Sequence, residues 1–148
     1  MLDNYRDLID ELLGGPSAVR SMADGAGGAL SPEALSLVAE MRDRDLAVTG
    51  RLQAFMRDAD LHLPVLATAN AAPDAAAPGE TAELLAGMDQ ARGDLVSLLM
   101  NLALKDWERT ATHDVDGEIT LADEVERHVE FDENHLSRLR AVVAGGSG

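Results

Sequence analysis

Residues 120–142 read TLADEVERHVEFDENHLSRLRAV, and one stripe within them decides the fold. Leu121, Val125, His128, Asp132, His135, Leu139 and Val142 recur at alternating spacings of four and three. All seven therefore fall near one face of a single helix. The apolar ends of the stripe must face a helical interior. Its three middle members are polar and titratable, and burying such groups is costly unless they are paired or bound to metal. Thr120-Leu121-Ala122-Asp123 reads as a capping box with Asp in place of Glu, which starts this helix. Gly145-Gly146-Ser147-Gly148 reads as a flexible tail.

Three more helices are legible upstream. One begins near Thr81, with Glu83 in its first turn and a core stripe of Leu84, Met88, Ala91, Leu95, Leu98, Leu99 and Leu102. The segment from Lys105 to Glu118 then reads as a structured linker, in which the only tryptophan, Trp107, is expected to plug the end of the bundle. Another helix has a strong start at Ser31-Pro32-Glu33 and is expected to run to about residue 58. Its apolar positions are Leu35, Leu37, Val38, Met41, Val48, Leu52, Phe55 and Met56, interrupted by Glu40, Asp43, Arg44 and Asp45. The first helix is expected over residues 3–13, on the pattern Tyr5, Leu8, Ile9 and Leu12, with Gly14-Gly15-Pro16 as its stop. Residues 17–23 read as a short helical piece and Asp24 to Gly28 as a flexible loop. The stretch 59–79, with Pro64, Pro73 and Pro78, is too long for a tight turn and predicts a crossover along the bundle. No strand pattern competes. The expectation is an all-α four-helix bundle, one domain over residues 1–144 with a tail at 145–148.

Composition narrows the function classes. The chain has 148 residues, with 12 Lys+Arg against 27 Asp+Glu and a net charge of −15. So acidic a surface repels phosphate and argues against a basic nucleic-acid groove. With no cysteine, disulfides, thiolate metal sites and cysteine nucleophiles are excluded together. Aromatics are 3% of residues, so the core must be Leu, Ala, Val and Met, a helix-leaning set. The polar N-terminus lacks a signal-peptide pattern and no apolar run is long enough to span a membrane, so a cytoplasmic protein is expected.

The polar middle of the last helix is the candidate site. His128, Asp132 and His135 put imidazole and carboxylate groups on successive turns. The second helix has its own polar break at Glu40 and Asp43. Facing helices build metal sites in this way. The same residues also admit an internally hydrogen-bonded cluster, or a groove open to solvent.

Leu104-Lys105-Asp106-Trp107-Glu108-Arg109, then Ala111-Thr112-His113, Gly117, Thr120-Leu121-Ala122-Asp123 and His135-Leu136-Ser137-Arg138-Leu139-Arg140 resemble the C-terminal half of DinB-like proteins. Ser31-Pro32-Glu33, Val38 to Asp43, Arg51-Leu52 and Leu63-Pro64-Val65-Leu66 resemble the N-terminal half. The resemblance covers about residues 2–142 and implies an up-down-down-up bundle, often a homodimer, with the long crossover between the second and third helices. It implies a divalent metal held by three histidines, whose positions here are Glu40, Phe131 and His135. Phe131 cannot ligate. A site in this chain would use Glu40, Asp132 and His135 for Zn, Ni, Mn or Fe, with His128 as a further ligand or general base. The chemistry implied is thiol transfer on a low-molecular-weight thiol, or hydrolysis. The alternative is a bundle without metal, acting as a dimer or as a partner- or small-ligand-binding module. In it Glu40 and His135 pair directly.

Overall fold

The computed structural model describes residues 2–66 and 81–146, with the side chains of residues 2–4 and 146 left out. Four helices dominate: α1 (Leu2–Gly25), α2 (Pro32–Arg57), α3 (Thr81–Met100) and α4 (Leu121–Gly146). Both α1 and α2 pack against α3 and α4. The all-α four-helix arrangement is as expected, and no helix among the described residues is long and apolar enough to cross a membrane.

Two expectations are corrected. The first helix does not stop at Gly14-Gly15-Pro16 but runs through Pro16 to Gly25. Proline inside a helix removes the N–H that would serve the carbonyl four residues earlier. Here that carbonyl belongs to Leu12, and it accepts instead from Arg92 Nη1 of α3 at 2.6 Å. The true stop is the segment expected to be a loose loop. Gly27 and Gly28 take φ of 80° and 85°, and the Gly28 N–H closes the helix end on the Ala23 carbonyl. The second correction is a small sheet. Strands β1 (His62–Leu63), β2 (Thr110–His113) and β3 (Gly117–Thr120) are ordered β1-β2-β3, the first pair parallel and the second antiparallel. Strands this short leave little period-2 signal in sequence. The crossover expected at 59–79 lies mostly outside the described residues. Within the described part, Leu63 is buried and Leu61 and Leu66 pack on the core, whereas Val65 is exposed.

Two apolar clusters fill the bundle. One joins Leu12, Val48, Leu52, Phe55, Leu95 and Leu99 to the sheet and to Trp107, which stacks on Tyr5 at 4.5 Å as the bundle-end plug. The other gathers Val19, Leu35, Val38, Met41, Met88 and Leu139. The polar groups described next separate them. Helix α4 extends to Gly146, two residues into the expected tail. Residues 147–148 lie outside the described residues.

Candidate functional site

Two caps set where the helices that carry the site begin. Ser31 Oγ accepts from the Ala34 N–H and Pro32 opens α2. At α4 the capping box is reciprocal: Thr120 Oγ1 accepts from the Asp123 N–H, and Asp123 Oδ2 accepts from the Thr120 N–H. At the start of α3 the Thr81 hydroxyl accepts from the Leu30 N–H. The apolar members Leu121, Val125 and Leu139 are buried, and the α4 stripe turns inward as read. His128, Asp132 and His135 are 1%, 3% and 4% exposed.

Glu40 and His135 meet. His135 Nε2 is 2.8 Å from Glu40 Oε1, and His135 Nδ1 is 3.2 Å from the Phe131 carbonyl oxygen. Both ring nitrogens are thus within hydrogen-bond distance of protein oxygens, Glu40 on one side and the Phe131 carbonyl on the other. The Phe131 ring stacks on the His135 imidazole at 4.0 Å between centroids.

Asp132 does not join this pair. It is held by Arg92 of α3, whose Nη2 donates to Asp132 Oδ1 at 2.6 Å. The Nε of Arg92 donates to both Asp45 oxygens at 3.0–3.1 Å, and Nη1 reaches the Leu12 carbonyl. Burial alone would lower the Arg92 pKa, but Asp45 and Asp132 outweigh it and the net shift is upward. His128 Nε2 lies 2.6 Å from Asp45 Oδ1, while its Nδ1 has no partner among the described residues. The interior thus holds one guanidinium between two carboxylates, with an imidazole on one of them.

Gly15 makes room for this arrangement. A Cβ there would stand 2.6 Å from Arg92 Nη1 and 2.9 Å from Asp132 Oδ2. The Gly15-Pro16 pair is therefore a docking notch: glycine admits the guanidinium and proline frees a carbonyl for it.

Sequence reasoning named Glu40, Asp132, His135 and His128, but missed Arg92 and treated Asp45 only as an interruption. A signal was present. Leu85, Met88, Arg92, Leu95 and Leu99 recur at spacings of three and four, as do Val38, Met41, Asp45, Val48 and Leu52. Asp43, named with Glu40 as facing inward, is half-exposed and pairs with its neighbour Arg42. His113 acts structurally, its Nδ1 accepting from the Val115 and Asp116 N–H groups. His62 is exposed and pairs with Asp114.

A second polar group lies along the same α2–α4 contact. Arg51 Nε is 2.8 Å from Glu124 Oε2, and Arg51 Nη1 donates to the Pro64 carbonyl at 2.8 Å. Arg44 is half-buried, with its guanidinium 4.6 Å from the centre of the Phe131 ring. Desolvation pushes the Arg44 pKa down against the opposing pull of Glu124, and Arg51 and Arg127 push the same way as burial. Among the described residues no group of three or more His, Cys, Asp or Glu side chains is arranged to hold a metal ion. No family model, curated protein or solved structure matches the chain.

Proposed function

We propose that this chain is a non-catalytic, metal-free helical module that works by binding, as a homodimer. The observation that carries the reading is Arg92. A fixed guanidinium bonded to Asp132 and Asp45 supplies inside the bundle the positive charge that a metal would supply. Asp132 is thereby taken from the implied ligand set, and a divalent ion near it would meet that cation. The residues do not fit a metal for two further reasons. His135 has both nitrogens engaged, and Phe131 packs where a third ligand would stand. His128 is sealed at 1% exposure, which keeps substrate protons out of its reach.

The dimer surface is argued from α1 and α3. Tyr5, Ile9, Leu13, Leu99, Met100 and Trp107 line a groove of about 360 Å³. Leu13 and Met100, 51% and 67% exposed, continue into a neighbouring groove of about 500 Å³. Arg6 and Asp10 also line the first groove, one helical turn apart on α1. A second copy packed antiparallel on this face brings opposite charges together, which favours self-association over docking of another acidic protein.

The test is metal analysis of protein prepared without an affinity tag and supplied with Zn, Ni and Mn, with melting measured with and without chelator. The expected result is far less than one metal per chain and an unchanged Tm. Stoichiometric metal that is lost in Glu40→Ala would overturn the reading and restore a metal-dependent transferase or hydrolase. In solution the chain is expected at dimer mass and Leu13→Glu at monomer mass. A monomeric parent refutes the dimer.

A further inference from the structure

Among the described residues four buried side-chain nitrogens lack a hydrogen-bond partner: Arg51 Nε, which still lies 2.8 Å from Glu124 Oε2, and Arg44 Nε, Arg44 Nη1 and His128 Nδ1, which belong to neighbours of Phe131. Buried polar atoms are nearly always satisfied, so each such atom points to something that completes it. Phe131 is the common neighbour of Arg44 and His128. The Arg44 guanidinium lies over its ring at 4.6 Å and the His128 ring stands 6.2 Å from it at an interplanar angle of 20°. The two side chains come from α2 and α4, so they bracket one small region of the helix contact.

The charge of the region points to the kind of group that fits. Arg44, Arg51 and Arg127 gather around Glu124 in a chain whose net charge is −15. Glu124 is engaged by Arg51, and Arg127 by Asp116. Among the described residues Arg44 has no carboxylate within ion-pair distance, unlike the buried Arg51 and Arg92. A desolvated guanidinium without an anion is unfavourable, and an entering anion relieves it. Arg44 Nε and Nη1 have no exposed surface, so an entering anion requires a shift of the Arg44 or Phe131 side chain, both of which are half-buried rather than sealed.

We propose that Arg44 is the anchor of a binding site for a small monocarboxylate, seated against Phe131 between α2 and α4. The carboxylate accepts from the free N–H groups of Arg44, and His128, sealed at 1% exposure, makes no contact with it. A single free guanidinium beside Glu124 suits a monoanion and disfavours a dianion such as phosphate. The site deepens the binding-module reading by naming a ligand class. It fails separately from it, since the metal content of the protein does not depend on Arg44.

The Nε–H of arginine gives a resolved signal in a ¹H–¹⁵N correlation spectrum, and the Arg44 peak is identified by its loss in Arg44→Lys. Sodium acetate titrated into the full-length protein is expected to move that peak saturably, whereas sodium chloride at equal ionic strength does not. Acetate also raises Tm in the parent and in Arg140→Gln, a change at an exposed arginine, and does so at least tenfold less effectively in Arg44→Gln. Inorganic phosphate binds more weakly than acetate. An Arg44 signal unmoved by acetate, or moved equally by chloride, overturns the site. Tighter binding of phosphate overturns the carboxylate assignment. The parent titration decides even if Arg44→Gln fails to fold.

Discussion

Gly14 and Gly15 are adjacent in one helix, and the same substitution at each should change stability in opposite directions. At Gly14 an added Cβ meets no atom within 4 Å. Alanine there removes the helix penalty of glycine and should stabilise by up to about 1 kcal/mol. At Gly15 the same methyl stands 2.6 Å from Arg92 Nη1 and 2.9 Å from Asp132 Oδ2. Neither atom is the free end of a mobile chain, because Arg92 is bonded to Asp45, Asp132 and the Leu12 carbonyl at once. Something in that set must break. Disrupting a buried ion pair costs about 3–5 kcal/mol, and the helix gain of about 1 kcal/mol offsets part of it. The net loss at Gly15→Ala is then roughly 2–4 kcal/mol. For a domain of this size each kcal/mol is about 2–4 °C in Tm. Thermal and urea unfolding of both variants, followed by the fluorescence of the single Trp107, measure the pair. If Gly15→Ala melts at or above the parent temperature, the guanidinium does not sit in the Gly15 notch and the account of the interior is wrong.

Other outcomes follow from the same contacts. Arg92→Met leaves Asp45 and Asp132 buried without their cation and should cost about 3–5 kcal/mol, as read by urea unfolding. Adding Asp45→Asn and Asp132→Asn to it should recover part of that loss, and no recovery would mean that Arg92 acts by packing alone. Tyr5→Leu removes a ring stacked on Trp107 at 4.5 Å. It should cost about 0.5–1.5 kcal/mol beyond the area term and shift the Trp107 emission. The Ala103 N–H first, and Arg109 next, hold the Asp106 carboxyl below its ordinary value of 3.8. A group with a depressed folded pKa contributes stability above its unfolded value that fades as pH falls through the folded one. Asp106→Asn should therefore flatten the acid limb of a Tm-against-pH curve and leave its slope near neutrality unchanged.

The α4 stripe was legible because its helix is capped at Thr120 and its apolar ends leave one choice of inward face. All three polar members of the stripe are buried, as the 4-3 spacing requires. The start of α2 at Ser31-Pro32 was legible for the same local reason, a cap and a preset φ. The limit of α1 was misread because Gly-Gly-Pro is a breaker only when the freed carbonyl has no other donor. That donor, Arg92, is 80 positions away from Leu12 in sequence. The short strands were not legible because two to four residues carry no usable period, and β1 pairs with β2 across about fifty residues.

By itself the sequence determined that there are four helices, the inward face of the α4 stripe, and the fact that charge would lie inside. Periodicity and capping are local, and they act within one turn or two. It left Glu40–His135 as one of two alternatives and offered no partner for Asp45, Arg92 or Asp132. Glu40 with His135, Asp45 with His128, and Arg92 between Asp45 and Asp132 are pairings across three helices. Only the packing of α1 on α3 brings the Gly15 notch to Arg92 and settles where Asp132 turns. Burial made pairing obligatory, and tertiary geometry chose the partners.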